Sequence, residues 1–323
     1  MRRFLLRRLA QTVVIVALVA TVTFVLIHLA PGDPFARLVS DPRISPEVQQ
    51  RWRAAYGLDR PLPEQYWRYM TSLARGDFGW SFSLNRPVRD ALADALPNTL
   101  LLMSVSLLLS FTMGTAVGVL QAVRRGRALD RVAGAVSLLF YSVPDFWLAL
   151  MVLLILAYRL ALFPIGGMVD PVMHDYLGFW GRVGDRLHHL VLPALTLALL
   201  TAAGVARYQR SAMLDVLHED YVRTARAKGV PGRYVIARHA LRNALLPTIT
   251  LLGLAFPALL GGSLFVELVF SWPGMGLMAA NAVGTRDYAL VTASVIISGV
   301  LVAVGALLAD LLSAAVDARL RPE

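Results

Sequence analysis

Three acids lie within or at the ends of otherwise uncharged apolar runs: Asp145, Glu267 and Asp310. An acid at membrane depth is expensive, so by default it faces a bundle interior or a polar path. Such groups serve ion coupling, solute contact or helix-to-helix hydrogen bonding, and for Asp145 a helix-to-helix bond and a place on a solute path are equally open. The reagents of covalent and metal chemistry are missing around them. There is no cysteine, which excludes disulfides, thiolate catalysis and Cys-ligated metals. His218-Glu219 is followed by Val222 where a zinc-binding H-E-x-x-H helix needs His. Lys228 is the only lysine, and no G-x-x-x-x-G-K-[ST] loop surrounds it to cradle a nucleotide phosphate. His188-His189, near the start of an apolar run, is most simply interfacial. These absences disfavour an intramembrane enzyme and point to a chain that binds no cofactor itself.

The elements that must position these residues are set by composition. The chain has 323 residues, of which 57% are apolar and 16% charged. A hydrocarbon core of roughly 30 Å needs about 20 apolar residues in a helix. Six stretches approach or exceed that length: Gln11–Ala30, Ala95–Val123, Val132–Tyr158, Leu190–Ala206, Asn243–Val266 and Tyr288–Ala309. The expected class is an all-α integral membrane protein of about six transmembrane helices. The first stretch has the basic start of a signal peptide, but Ile27-His28-Leu29-Ala30-Pro31 lacks a small-x-small cleavage pattern, so an uncleaved first span is the better reading.

A formal charge of +10 can mark nucleic acid or an anionic surface, but in a membrane protein the placement of Arg matters more than the sum. Eighteen basic residues fall before the first stretch, between the second and third, between the fourth and fifth, and after the last. The opposite short loops hold about four, including Arg159 and Arg286, and the nine in Pro31–Asn98 count little because long loops escape the rule. Both termini are expected in the cytoplasm, with lipid and not nucleic acid as the charged partner.

Between the first two stretches, Pro31-Gly32-Asp33-Pro34 breaks the helix and opens an external segment. Val48, Trp52, Tyr56 and Leu58, then Tyr66, Tyr69, Met70 and Leu73, have the spacing of short amphipathic helices around a Pro61-Leu62-Pro63 turn. Their aromatic residues suit a membrane interface or a docking surface. Ser110, Gly114 and Gly118 put three small residues on one helix face, which admits a close neighbour without saying which. Ser142-Val143-Pro144-Asp145 interrupts the third stretch. Pro247 and Pro257, with Gly253, Gly261 and Gly262, imply a kinked or broken fifth helix; Asp145, Pro257 and Glu267 are the candidates for a gate or pathway. Phe270-Ser271-Trp272-Pro273-Gly274-Met275-Gly276 reads as an external turn or a short re-entrant segment.

The segment Tyr208–Arg242 is too long for a turn and too polar for a span. Leu214, Leu217, Tyr221, Thr224, Ala225 and Lys228 lie at helical spacing, Gly229-Val230-Pro231-Gly232 stops that helix, and a second runs from about Arg233 towards Leu246. The result is a helix-turn-helix against the inner face of the membrane. Glu219-Asp220-Tyr221-Val222-Arg223-Thr224-Ala225-Arg226-Ala227-Lys228-Gly229, with His239-Ala240-Leu241-Arg242-Asn243-Ala244-Leu245-Leu246-Pro247, resembles the cytoplasmic "EAA" loop of importer permeases, in its dipeptide and oligopeptide branch. The general loop has Glu-Ala-Ala where Arg223-Thr224-Ala225 stands, and its Pro lies closer to the Gly than Pro247 does to Gly229; the departure resembles the branch's own variant. Gly76-Asp77-Phe78-Gly79-Trp80-Ser81, Ser142-Val143-Pro144-Asp145-Phe146-Trp147, and Phe270 to Gly276 with Arg286-Asp287-Tyr288 extend the resemblance over nearly the whole chain.

The resemblance implies a type I importer architecture: a heterodimer with a second, related permease, two ATPase subunits that bind ATP and Mg inside, and a solute-binding protein outside. It implies three regions: 1–95, an N-terminal span with the external segment; 96–314, the permease domain with a coupling loop over 208–243; and 315–323, a cytoplasmic tail. The ATPase-coupling residues are Glu219, Asp220, Tyr221, Arg223, Thr224, Ala225, Arg226, Ala227, Lys228 and Gly229. In such a loop Ala225, Ala227 and Gly229 let the backbone approach the ATPase closely while Glu219, Arg223, Arg226 and Lys228 form rim ion pairs. A solvated basic loop held by lipid phosphate remains open beside it. An ion-coupled secondary transporter would also carry kinked helices and intramembrane acids, but no inverted repeat is evident and it leaves the structured basic loop unexplained. Peptide is the expected solute, with nickel complexes and glutathione as other solutes of the branch.

Overall fold

In hydrocarbon, backbone polar groups must be satisfied within the segment, so long uncharged runs become helices. The computed structural model describes residues 2–29 and 60–316, and within them helices dominate. The first, α1 (Arg2–Leu29), is followed by α2 (Leu62–Ala74). A small antiparallel hairpin of β1 (Trp80–Ser81) and β2 (Arg86–Pro87) leads into α3 (Val88–Val123). Next come α4 (Ala128–Ser142) and α5 (Asp145–Val152), which runs on as a π-helical turn over Leu153–Arg159. The chain continues with α6 (Phe179–Leu217), α7 (Asp220–Ala227) and α8 (Gly232–Tyr234), then a π-helical turn at Val235–Ala240 and α9 (Leu241–Ala244). It ends with α10 (Leu246–Val269), α11 (Met275–Thr285) and α12 (Tyr288–Val316).

The stripe of small residues on α3 meets α6. A Cβ on Gly114 would lie 2.6 Å from that of Val205, and one on Gly118 would lie 2.6 Å from the Ala206 carbonyl oxygen. Only glycine permits this approach, so α3 and α6 pack along much of their length as one body. Part of this pair carries the core: Leu102, Met103, Leu192 and Leu197 pack with Val266, Phe270 and Trp272. On the other side α1 lies on α12, and α2 lies on α1 through a Tyr66–Thr21 hydroxyl pair (2.8 Å) and a Tyr69–Phe24 ring contact. Those two tyrosines contact α1. Burial pushes the Tyr69 phenol up to about 12. The external residues Pro31-Gly32-Asp33-Pro34, Val48, Trp52, Tyr56 and Leu58, and the tail beyond Val316, lie outside the described residues.

Among the described residues four helices are long and apolar enough to cross a membrane, α1, α3, α6 and α12, and the pair α4 and α5 passes the same test together. The 24-residue α10 accounts for the remaining stretch. The helices refine the expected stretches. The third stretch is interrupted where expected: α4 and α5 are bent by 108° at Val143-Pro144, where Pro144 lacks the N–H a helix needs. In the fifth stretch, expected to be kinked or broken, α10 runs without a break through Pro257, and Pro247 sits in its first turn, where a missing N–H is no loss. The fourth stretch is the middle of a 39-residue helix about 58 Å long, which projects beyond a bilayer core. Finally, α3 begins at Val88, ahead of the apolar stretch that opens at Ala95.

Candidate functional site

The coupling segment starts later than its periodicity predicts. Leu214 and Leu217 belong to the end of α6, the chain turns at His218-Glu219, and α7 begins at Asp220. Val222 and Ala225 form its inner face, packed with Val235 and flanked by Val216, Leu217 and Val230. Ala225 is therefore part of the loop's own core. Its neighbours Tyr221, Arg223, Thr224, Arg226, Ala227, Lys228 and Gly229 are exposed, as are Glu219 and Asp220 at the helix start. The Tyr221 hydroxyl accepts a hydrogen bond from Asn243 Nδ2 (2.7 Å), and Arg223 reaches Asp220 at 3.7 Å in solvent, an exposed pair of little energetic weight.

Gly229 closes α7. Its φ is +77°, the Val230 N–H donates to the Ala225 carbonyl (3.2 Å) and the Gly229 N–H to the Arg226 carbonyl (3.0 Å). This pair of bonds is a Schellman stop, and the left-handed residue at its centre is one that glycine adopts without steric cost. A Cβ there would meet nothing within 4 Å, so the constraint on position 229 is conformational and the space beside it is free.

Immediately before α7, the last turns of α6 are tied to three other elements. Gly118 of α3 packs on Ala206, Gln209 and Arg210. Buried Gln209 accepts a hydrogen bond from Thr248 of α10 (2.6 Å). Arg210 donates twice to Asp130 of α4, Nε to Oδ1 at 2.9 Å and Nη2 to Oδ2 at 3.0 Å, in the bidentate geometry guanidinium favours. Asp130 also accepts the Gly126 N–H (3.0 Å), which fastens the short loop between α3 and α4. Sequence reasoning counted Arg210 only as a basic residue and passed over Asp130, Gln209 and Thr248. An aspartate in the first turn of a helix after an Arg-rich loop was the one local signal.

The end of the bundle away from α7 holds Glu267, one of the candidate pathway acids. Glu267 is wholly buried; its Oε1 accepts from the Thr99 hydroxyl (2.8 Å) and its Oε2 from the N–H groups of Gly276 (2.6 Å) and Leu277 (3.1 Å). Those amides open α11, where a carboxylate satisfies orphan donors and complements the helix dipole. Thr99 Oγ1 in turn accepts the Met275 N–H (2.7 Å), and Trp272 Nε1 donates to the Asn98 carbonyl (3.0 Å). Gly274 and Gly276 are required by the fit, since a Cβ at either would lie within 2.6 Å of Glu267 or Leu264 atoms. In this arrangement Glu267 braces the Phe270–Gly276 turn and the start of α11. Asp145 accepts the Phe146 N–H (2.8 Å) in the first turn of α5, and no bond from it to another helix is seen among the described residues. The Pro257 side chain lies outside the described residues.

Two further motifs are brought together. Asp287 Oδ2 accepts from Ser81 Oγ (2.7 Å), Ser83 N (2.9 Å) and Ser83 Oγ (2.8 Å), so the hairpin after Gly76-Asp77-Phe78-Gly79 is clasped to the start of α12. The loop before α6 joins the same face: the Gly167 N–H donates to the Phe270 carbonyl (2.9 Å), and His174 pairs with Asp185 (2.6 Å). His189, expected at the interface, is buried and also reaches Asp185 (3.2 Å). Backbone N–H bonds from Met173 and Val172 hold the Asp170 carboxyl below the usual range.

The comparisons with known proteins agree with this architecture. Residues 114–322 match the binding-protein-dependent transport system inner membrane component family, and residues 1–103 match the N-terminal region of the same kind of membrane component. The chain belongs to this family of ABC importer permease subunits: it is a multi-pass inner-membrane transport subunit and not an enzyme, and it works with an ATPase and a substrate-binding protein. It is 41% identical over 321 residues to the oligopeptide transport system permease protein AppB of Bacillus subtilis (strain 168), with 99% of each chain covered. It is 38% identical over 321 residues to the glutathione transport system permease protein GsiC of Salmonella paratyphi A, and 36% identical over 336 residues to the dipeptide transport system permease protein DppB of Escherichia coli (strain K12), again with 99% of each chain covered. Among solved structures, an inward-facing form of the MetNI methionine ABC transporter matches with a TM-score of 0.56 at 20% identity, over 70% of this chain and 96% of that one. That likeness concerns the fold.

Proposed function

We propose that the chain forms one half of a transmembrane pathway for peptides, and that α7 with its Gly229 stop is the element by which partner ATPases drive it. The observation that carries this reading is the exposed outer face of α7, Arg223 to Gly229 without Ala225, presented on a small core of its own and attached through a two-residue turn to a helix locked onto α3, α4 and α10. Such a helix is placed to be gripped from the cytoplasm and to pass force upward. ATP with Mg is bound and hydrolysed by two partner ATPases, a second related permease supplies the other half, and an external binding protein delivers the solute. Both termini face the cytoplasm, which is supported by the Arg-rich segments that flank α1, the start of α4 and α7.

Peptide is preferred because the relatives above carry oligopeptide, glutathione and dipeptide in their names at 41%, 38% and 36% identity, and glutathione is itself a small peptide. The test is to purify the assembly by a tag on this chain, identify what accompanies it, and measure ATP hydrolysis in lipid with and without the loaded binding protein. Two ATPases and a second permease, with stimulated hydrolysis, are the expected result. A chain that purifies alone and moves solute down an ion gradient would overturn the reading.

A further inference from the structure

The polar contacts that tie the last turns of α6 to α4 and α10 lie on two adjacent residues, beside apolar packing of Met213 with Ala122, Ala240 and Ala244. Gln209 faces α10 and binds Thr248, Arg210 faces α4 and binds Asp130, and Gly118 of α3 packs against both. Seven residues later α6 ends and the turn into α7 begins. A displacement of α7 reaches the spans through this point or through the chain continuing into α10. We propose that Gln209 and Arg210 form a junction that passes movement of α7 into α4 and α10, with the Asp130–Arg210 ion pair holding α4 to the α3–α6 body during transport. The inference rests on the importer reading and adds positioning residues to it.

Three observations support a working link over a passive tie. First, the pair is bidentate and its carboxylate also holds the Gly126 amide, so the guanidinium grips the whole loop joining α3 to α4, and a lysine could not reproduce that geometry. Second, α4 leads to the 108° bend at Val143-Pro144, the sharpest departure from a straight span among the described residues, so an element held at Asp130 turns about a defined corner. Third, Gln209 Nε2 is the one buried side-chain donor left without a partner among the described residues. A buried amide satisfied on one side only costs free energy in this arrangement, so the junction has something to gain from a second one.

The experiment uses the complete transporter, this chain with its partner permease and ATPases, in lipid vesicles. The absence of cysteine from this chain lets spin labels be placed by Leu108→Cys on α3 and Leu138→Cys on α4, both exposed positions, in partners stripped of reactive cysteines. In the parent, the label-to-label distance is expected to stay the same between the nucleotide-free and vanadate-trapped states. In Asp130→Asn it is expected to shift or broaden on trapping. Basal ATP hydrolysis should remain within about twofold of the parent while its stimulation by the loaded binding protein falls about tenfold, the size of coupling that one link on a path can carry. The exchange Asp130→Arg with Arg210→Asp should restore part of the stimulation, and Arg210→Lys should restore none. An unchanged distance and full stimulation in Asp130→Asn would overturn the junction. So would a loss of stimulation matched by loss of the assembled complex. A parent complex with no nucleotide response at labels on α7 would instead overturn the importer reading.

Discussion

The two ends of the molecule treat their polar residues in opposite ways. At one end Glu267 and Asp287 are enclosed, each accepting three or more hydrogen bonds, some of them from groups distant in the chain. At the other end α7 displays its charges to solvent and is held by a small apolar patch, one tyrosine hydroxyl and a glycine stop. The first end is built to keep its shape, whereas α7 is built to be engaged. Removing a polar group should therefore cost stability on one side and transport on the other.

The largest expected effect is at the brace. Glu267→Ala leaves the Thr99 hydroxyl and two α11 amides buried without an acceptor, at about 1–3 kcal/mol for each group, so the purified assembly should lose several kcal/mol or fail to form. Thermal unfolding followed by size-exclusion in detergent measures this. A midpoint equal to the parent's would break the comparison at its strongest point.

Next is the hairpin clasp. Asp287→Ala releases Ser81 and Ser83 and is expected to cost about 2 kcal/mol, with amide exchange rising over residues 80–87 and not over α7. Exchange rising equally at both ends would mean that the first end is no separate brace.

Gly229→Glu sharpens the other side. Forcing a residue with a Cβ into the left-handed region costs about 1–2 kcal/mol, which the assembly should survive, yet ATP-driven uptake should be lost because the side chain enters the free space where a partner approaches. The readout is uptake against complex recovered on the same column. Normal uptake by this variant would remove α7 from the coupling role.

The smallest effect concerns acid. Asp170 has its carboxyl depressed below the ordinary value of 3.8 by the Val172 and Met173 amides, so its contribution is present above that pH and is lost as pH falls through the depressed value. Amide exchange at Val172 and Met173 should rise there, while α7 shows no matching change. A loop that loosens near neutral pH would contradict the assignment.

Much of the architecture was legible in the order of residues. Uncharged runs located the spans, Gly229-Val230-Pro231-Gly232 marked the end of the coupling helix, and Ser110, Gly114 and Gly118 announced a close helix pair. These are local signals, because hydrophobic length, helix stops and small-residue spacing act within a few turns of chain. The break at His218-Glu219 was hidden by apolar residues that keep helical spacing across it, and the bend at Pro144 was legible as an interruption but not as an angle.

What only the tertiary structure decided is which groups share a site. Thr99 and Glu267 are 168 residues apart, Ser81 and Asp287 are 206 apart, and Asp130 and Arg210 are 80 apart. Nothing in the types of these residues selects one partner over another, since any carboxylate can accept from any donor. The choice is made by helix packing, which brings particular turns together and makes every other pairing geometrically unavailable. For that reason the sequence by itself determined that this is a membrane-spanning subunit with a structured coupling segment. The packing of α3, α6 and α10 decided that Glu267 is a brace and that Arg210 stands at the junction.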